Sequence, residues 1–539
     1  MKKRILSIIL LGMASFMLYG CEMKKNDTPS ADVTEVADII ISESESESDD
    51  TGTAVQTPAV PPRERLKRPV RDLGFSTADT SLPDPITYPA DLAVINGSLS
   101  LMDDGAVGRF EQKDKADLLE FIIDITEEGF YLLTFDTKSF GGYKENYLTI
   151  NGEPAGALVS DSEEYAPSFV KRVHFDAGEN RVGITAHWGW IAVKSLTVSG
   201  ESGLDEDFYE IPATLVNPNA DDNALGLMSF LVMQYGLKSL AGQQSQGNWR
   251  SDHGLFGGES QFIYEQTGKR PAVIGLDFIN YSASAVNKGI FTAETEAAIE
   301  AWENNAIVTF AWHWRLPKPY TNEKESHGDF YTSETKKGIF KKIMDGDDPD
   351  GYQFLLDDID IIAVQLKRLQ DAGVPVLWRP LHEASGGWFW WGTDKDSYLK
   401  LWKLLFDRLN NHHNLTNLIW VWNGQHKDWY PGDEYVDIIG EDIYAADRDY
   451  SSQSGKFFEI ADYSNTPKLI ALTENGVLFD PEIAKRDGAM WSWWCVWNGE
   501  FVKTEQRTEF DMLRTVYDSE YVLTHEDLPD LKNYPIYVD

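Results

Sequence analysis

Trp378-Arg379-Pro380-Leu381-His382-Glu383, continued by Ala384-Ser385-Gly386-Gly387-Trp388-Phe389-Trp390-Trp391, is the stretch on which the reading of this chain turns. Ahead of it lies Val374-Pro375-Val376-Leu377, a short apolar run that reads as a buried strand. The charged and aromatic residues therefore fall where that strand should end. A carboxylate at a strand end, walled by tryptophans, has its charged form disfavoured and is a candidate for an acid with a raised pKa. The competing reading is a His-Glu pair in a stable loop. The stretch alone does not choose between them, so the surrounding chain has to.

From about Asn223 to the end, strand and helix patterns alternate. The strand segments are Ser239–Gln243, Ala272–Phe278, Ile307–His313, Val374–His382, Asn417–Asn423, Val436–Tyr444, Lys468–Glu474 and Ala489–Trp497. Helical periods fall between many of them: Thr292 to Trp302 behind a Thr292 cap, Phe354 to Ala372, and Ser397 to Leu409. Eight strands separated in this way predict an α/β domain, a (β/α)8 TIM barrel over residues 223–539, with its chemistry at the C-terminal ends of the strands. Glu383 ends the fourth. In Leu469-Ile470-Ala471-Leu472-Thr473-Glu474-Asn475-Gly476 an apolar strand stops at Glu474, which ends the seventh. Strand ends four and seven face each other across an eight-stranded barrel. Two carboxylates so placed can flank a glycosidic bond, and a separation of about 5–5.5 Å leads to retention through a covalent glycosyl-enzyme. Glu383 would protonate the leaving oxygen and Glu474 would be the nucleophile.

Upstream, residues 85–200 carry at least six short alternating strands with turn signals, including Asn151-Gly152, and predict a β-sandwich. Residues 201–222 are acidic, carry two prolines and read as a linker. Residues 22–84 are rich in Ser, Glu, Asp, Thr and Pro, with the run Ser42-Glu43-Ser44-Glu45-Ser46-Glu47-Ser48-Asp49-Asp50. Such a segment buries too little apolar surface to offset chain entropy and reads as a disordered spacer. Lys2-Lys3-Arg4 and the apolar run from Ile5 to Leu18 form a signal, too short for a usual membrane span. It ends at Leu18-Tyr19-Gly20-Cys21 and resembles a bacterial lipoprotein signal over residues 1–21, which implies lipidation of Cys21 and a cell-surface lipoprotein. Tyr19 departs from the small residue usual there, so plain secretion stays open.

The net charge is -39, from 48 Lys+Arg against 87 Asp+Glu, which argues against nucleic acid as a partner and suits a soluble protein handling neutral ligands. Only two cysteines are present, Cys21 and Cys495, so there is no disulfide framework. Tryptophan is abundant at 18 residues; its ordinary place is the core, but its face also stacks on the apolar faces of sugar rings.

Several stretches, in order, carry a family resemblance: Gly242-Gln243-Gln244, Pro271-Ala272 with Gly275 and Asp277, Trp312-His313-Trp314, Trp378 to Glu383, Gly440-Glu441-Asp442-Ile443-Tyr444 and Thr473 to Gly476. Residues 223 to about 525 resemble glycoside hydrolase family 26, a (β/α)8 family dominated by β-mannanases. The resemblance implies Glu383 as acid/base and Glu474 as nucleophile, and Tyr444 as a tyrosine hydrogen-bonded to the nucleophile. It implies His382 as a contact to sugar hydroxyls or to the nucleophile, and Asp442 beside Tyr444. His313 and Trp388 would line the cleft, Trp497 would be a stacking platform, and Phe479 would line an adjoining subsite. An Arg often follows the platform Trp in the family; here it is Asn498.

The strand pattern of residues 85–200, with its Asn-Gly turn and His187-Trp188-Gly189-Trp190, resembles carbohydrate-binding modules of families 6 and 35, which are jelly rolls. Trp188 and Trp190 would stack on sugar; the alternative places at least one of them in the sandwich core. The implied activity is a retaining endo-β-1,4-mannanase acting on mannan, glucomannan or galactomannan as a monomer and without cofactor or metal. A helical zinc motif would need a second His at position 386, which is Gly. The alternatives are a β-glucanase or xylanase on the same barrel, or a non-catalytic surface glycan-binding protein.

Overall fold

Alternation of inward and outward residues builds the first domain. In Gly129–Ser139 every second residue is buried, and Leu118–Ile125 follows the same period. These strands and their neighbours form one six-stranded and one five-stranded sheet, with Phe121, Leu133, Phe135, Leu148, Val182 and Leu196 in the core between them. Asn151 and Gly152 both have positive φ and join Lys144–Ile150 to Glu153–Ser160, with Ile150 opposite Glu153. This is the tight turn expected of Asn-Gly, whose two residues tolerate the left-handed region.

The computed structural model describes residues 63–75, 84–111, 116–205, 207–245, 254–287, 289–290, 292–322 and 328–538. The signal segment, Cys21 and most of the expected spacer lie outside the described residues.

Continuous apolar runs build the second domain. A closed parallel barrel is formed by β1 (Gly242–Gln244), β2 (Val273–Asp277), β3 (Ile307–Trp312), β4 (Val376–Pro380), β5 (Leu418–Trp422), β6 (Ile438–Ile443), β7 (Leu469–Asn475) and β8 (Trp494–Val496). Nearly every residue of these strands is buried, as strands covered on both faces must be. β1 and β8 close the barrel through Gln243 opposite Val496. Gly242 permits that closure: a Cβ there would stand 2.0 Å from the Trp494 carbonyl oxygen.

Boundaries differ from the sequence-based expectation at several elements, most of all at the last strand, expected over Ala489–Trp497 and found at Trp494–Val496. Ser239–Leu240 stands outside the barrel and pairs in parallel with Val522–Leu523, so β1 starts at Gly242. The helix expected from Thr292 runs Glu294–Glu303 with Ala293 at its N-cap, so Thr292 does not cap it. The helix expected from Phe354 starts at Pro349, because Asp348 caps it by accepting from the Gly351 N–H and proline suits a first turn. The helix expected over Ser397–Leu409 is Lys395–Asp407, capped by Asp394.

Two segments read as linker or spacer are packed instead. Within residues 201–222, Leu204, Tyr209, Ile211 and Ala213 join the barrel-side core, and the Tyr209 hydroxyl donates to the Gly488 carbonyl. Arg65–Lys67, inside the stretch expected to be disordered, forms a parallel strand with Ile536–Val538. Arg71 donates to the carbonyls of Val232, Tyr235 and Tyr209, and Phe75 stacks on Tyr209 at 5.3 Å. Polar composition made these segments look unfolded, but a few apolar and arginine side chains suffice to anchor a strap on an existing surface. Sandwich and barrel belong to one compact unit, Arg63–Asp539.

Candidate active site

Glu383 owes its place to a sharp turn. β4 ends at Pro380, and Leu381 and Glu383 both adopt left-handed backbone, with φ of 52° and 51°. That conformation is costly for non-glycine residues and persists only where surroundings enforce it. Here the Glu383 N–H donates to the Asn423 carbonyl beyond β5, and the Ser385 N–H to that of Gly424. The carboxylate then turns into the barrel mouth, where the Trp388 indole donates to its Oε2 at 2.7 Å.

Glu474 comes from the other side on β7. A bulge between β6 and β7 shifts the pairing so that Asp442 stands level with Glu474, and the skipped Thr473 donates its hydroxyl to Asp442 Oδ1 at 2.7 Å. Carboxylate oxygens of Glu383, Asp442 and Glu474 lie within 4.8 Å of one another. Arg379, fully buried at the end of β4, bridges two of them. Its Nη1 donates to Asp442 and its Nη2 to Glu474, both at 2.8 Å. The Tyr444 hydroxyl donates to the second oxygen of Glu474 in a very short hydrogen bond.

One guanidinium cannot neutralise three carboxylates. Burial, and then the charges on Asp442 and Glu474, push the Glu383 carboxyl well above the usual carboxylate range. Burial pushes Asp442 up to about 7 against the opposing pull of Arg379. The arrangement therefore favours a proton on Glu383, while Glu474 accepts from two donors. A protonated carboxyl facing a hydrogen-bonded carboxylate across a few ångströms is the apparatus of a retaining glycosidase, for which about 5–5.5 Å is the usual separation.

Residues 216–527 match the model of glycosyl hydrolase family 26, and residues 86–200 match that of carbohydrate binding module family 35. The chain belongs to glycosyl hydrolase family 26. It is 36% identical over 455 residues to a mannan endo-1,4-beta-mannosidase of Thermothelomyces thermophilus, covering 82% of this chain and 90% of that one. A crystal structure of a Podospora anserina GH26-CBM35 beta-(1,4)-mannanase is similar at 33% identity and a TM-score of 0.58, covering 83% of this chain and 99% of that one. That of a ruminal GH26 endo-beta-1,4-mannanase is similar at 28% identity and a TM-score of 0.60, with the same coverage of both chains.

In this family 26 barrel the other expected residues divide into those that meet the carboxylates and those that do not. His313, just past β3, donates its backbone N–H to Asp277 Oδ1 at 3.1 Å, and its Nδ1 hydrogen-bonds Asp277 Oδ2. The ring packs edge-on to His382 at 4.5 Å between centroids and edge-on to Trp497 at 6.3 Å. Burial, reinforced by His313 and Arg379, holds His382 well below the ordinary imidazole range, so it stands neutral among Phe389 and Trp391. Trp497 is half-buried just past β8, fastened by its N–H to the Asn475 carbonyl. Phe479 departs from the expectation: it is 2% exposed and packs edge-on to Trp494 of β8, so it fills the core rather than lining a subsite.

Trp390, Trp391, Trp420 and Trp422 are fully buried core residues. Cys495 is a buried free thiol that burial keeps protonated. Trp188 and Trp190 do not enter the sandwich core; both are exposed.

Three residues of the site were given no role by the sequence reading. Arg379 is the bridging cation. Asp277 orients His313. Tyr331 stacks on Phe389 at 5.7 Å; burial opposes its ionisation most, and the nearby Glu383 and Glu474 add to that. The first two stand inside quoted motifs, so their signal was present. Tyr331 sits in a loop without periodicity, and nothing local marks it.

Proposed function

We propose that this protein is a retaining endo-β-1,4-mannanase, with Glu383 as acid/base and Glu474 as nucleophile. The observation that carries the reading is the opposed environment of two carboxyl groups whose oxygens lie within 4.8 Å: one kept protonated by burial, one held by Arg379 and Tyr444. In the first step Glu474 attacks the anomeric carbon as the glycosidic C–O bond breaks, and Glu383 gives its proton to the departing oxygen. In the second, Glu383 takes a proton from water, which displaces Glu474 and releases the sugar with its anomeric configuration retained. Trp388 and Trp497 supply aromatic walls, while the neutral ring of His382 and the imidazole of His313 present polar edges to hydroxyl groups. The mannan specificity rests on the relatives: the Thermothelomyces thermophilus enzyme is a mannan endo-1,4-beta-mannosidase, and so is the B enzyme of Piromyces sp, 32% identical over 461 residues.

Reducing-sugar release over mannan, glucomannan, galactomannan, lichenan and xylan tests the substrate, with mannan-type polymers expected to react first. The size of the early products tests endo action. Glu474→Ala should abolish hydrolysis while the far-ultraviolet circular dichroism stays that of the wild type; an active Glu474→Ala sinks the mechanism. We further propose export and lipid anchoring through Cys21, supported by the basic start, the apolar run and the cysteine that ends it. Mass spectrometry of the mature N-terminus from cells tests it; an N-terminus at another residue overturns it.

A further inference from the structure

Four large aromatics stand exposed on two adjoining loops of the sandwich: Phe140 and Tyr143 on one, Trp188 and Trp190 on the other. Single exposed aromatics are ordinary, but four together at one end of a domain are not. The loops are joined, since the Phe140 N–H donates to the Trp190 carbonyl at 2.9 Å. They are also rigid. The Trp190 N–H donates to the Phe110 carbonyl at 3.0 Å, and Phe110 approaches so closely that a Cβ on Gly189 would stand 1.8 Å from its oxygen. The two tryptophans are therefore separated by a position that only glycine fits, and their placement is fixed before any ligand arrives.

One of the four reaches the barrel. The Trp188 ring lies 6.5 Å, centroid to centroid, from Trp388, the residue whose indole donates to Glu383. Trp188 also meets Tyr143 at 6.0 Å, edge to face. Neighbouring aromatic rings thus lead from the wall of the cleft across the domain boundary, from Trp388 to Trp188 to Tyr143. The sandwich is fastened in this pose: the Gly156 N–H donates to Asp449, Arg172 Nε to the Asp487 carbonyl, and Lys171 pairs with Asp462.

We infer that Trp188 and Tyr143 are subsites of the catalytic cleft, stacking on the sugars of a β-mannan chain that lie next beyond Trp388. The inference rests on the mannanase reading of the barrel. Its occupant follows from continuity: a polymer held against Trp388 and running outward along that wall meets Trp188 first. An uncharged pyranose chain suits an uncharged aromatic face, and rigid rings cost little ordering entropy on binding. The module then sets how long a substrate the enzyme prefers, besides any binding to insoluble polymer.

The test measures kcat/KM on manno-oligosaccharides of increasing length for wild type, Trp188→Ala, Trp188→Phe and Tyr143→Ala, using the full chain. For Trp188→Ala the ratio of kcat/KM between the longest and the shortest cleaved oligosaccharide should fall by about two- to tenfold, the size of one aromatic contact. Tyr143→Ala should lower the same ratio less, and Trp188→Phe should keep most of it. A ratio equal to wild type in both alanine variants overturns the inference, as does a loss that is equal at every length. A wild-type enzyme that cleaves no manno-oligosaccharide is a different failure, that of the substrate reading itself.

Discussion

Glu383 and Glu474 carry the same functional group, and only their neighbours differ. Glu474 accepts from Arg379 and Tyr444, whereas Glu383 accepts from one indole and faces two other carboxyl groups. A carboxyl whose pKa is raised is a proton donor below that pKa and loses the role as pH rises through it. The alkaline limb of kcat/KM is therefore assigned to Glu383. Glu383→Gln, which cannot exchange a proton, should lower kcat/KM on mannan by about 10²–10⁴-fold and erase that limb; a variant with the limb in place would reassign it. Tyr444→Phe removes one charge-assisted hydrogen bond from Glu474, worth about 1.5–3 kcal/mol, and should lower kcat by roughly tenfold or more with little change in KM. At this scale the sequence was informative. The two glutamates, His313, His382, Asp442, Tyr444 and Trp388 all stand around one cleft mouth. Phe479 was misjudged because its position in the chain, close after Glu474, says nothing about which way its ring turns.

At the scale of elements, the strands were legible because burial on both faces leaves an uninterrupted apolar run, and the sandwich strands because burial on one face leaves alternation. Boundaries were less so. The first barrel strand is displaced by three residues, since Ser239–Leu240 finds its partner in Val522–Leu523, nearly the length of the domain away. Closure between the short β1 and β8 depends on Gly242, whose missing side chain admits the Trp494 carbonyl. Gly242→Ala forces that carbonyl to move and should cost about 1–3 kcal/mol, read as a lower midpoint in urea unfolding. A midpoint equal to wild type would mean that the barrel closes with more slack than these distances allow.

The whole molecule carries buried carboxyl groups outside the site, and they tie stability to pH. Burial, and then the charge on Asp277, push Glu294 up to about 8. In the unfolded chain it titrates near about 4.3. Its folded pKa is the higher one, so its contribution to stability is complete below the unfolded value and is lost as pH rises towards about 8. Glu294→Gln cannot ionise. Its melting temperature should gain on that of wild type between pH 5 and pH 8, by an amount corresponding to a few kcal/mol at most. A constant difference across that range would show that Glu294 keeps an ordinary pKa in the folded protein. The strap Arg63–Phe75 and the packed residues Leu204, Tyr209, Ile211 and Ala213 belong to this scale too. Both read as spacer, because composition reports the average polarity of a segment and not the few side chains that anchor it.

The sequence by itself determined the two architectures, the order of the barrel strands, the Asn151-Gly152 turn and the two glutamates at opposite strand ends. Each of these depends on neighbours within a few residues, through side-chain period and turn chemistry. Tertiary structure alone decided the rest. Arg379 meets partners 63 and 95 residues away, Asp442 is brought level with Glu474 by a bulge, and Glu383 is turned inward by a carbonyl beyond β5. Trp188 meets Trp388 across two hundred residues of chain. No local pattern encodes such contacts, because they exist only once separate segments have packed and their side chains share one low-dielectric space.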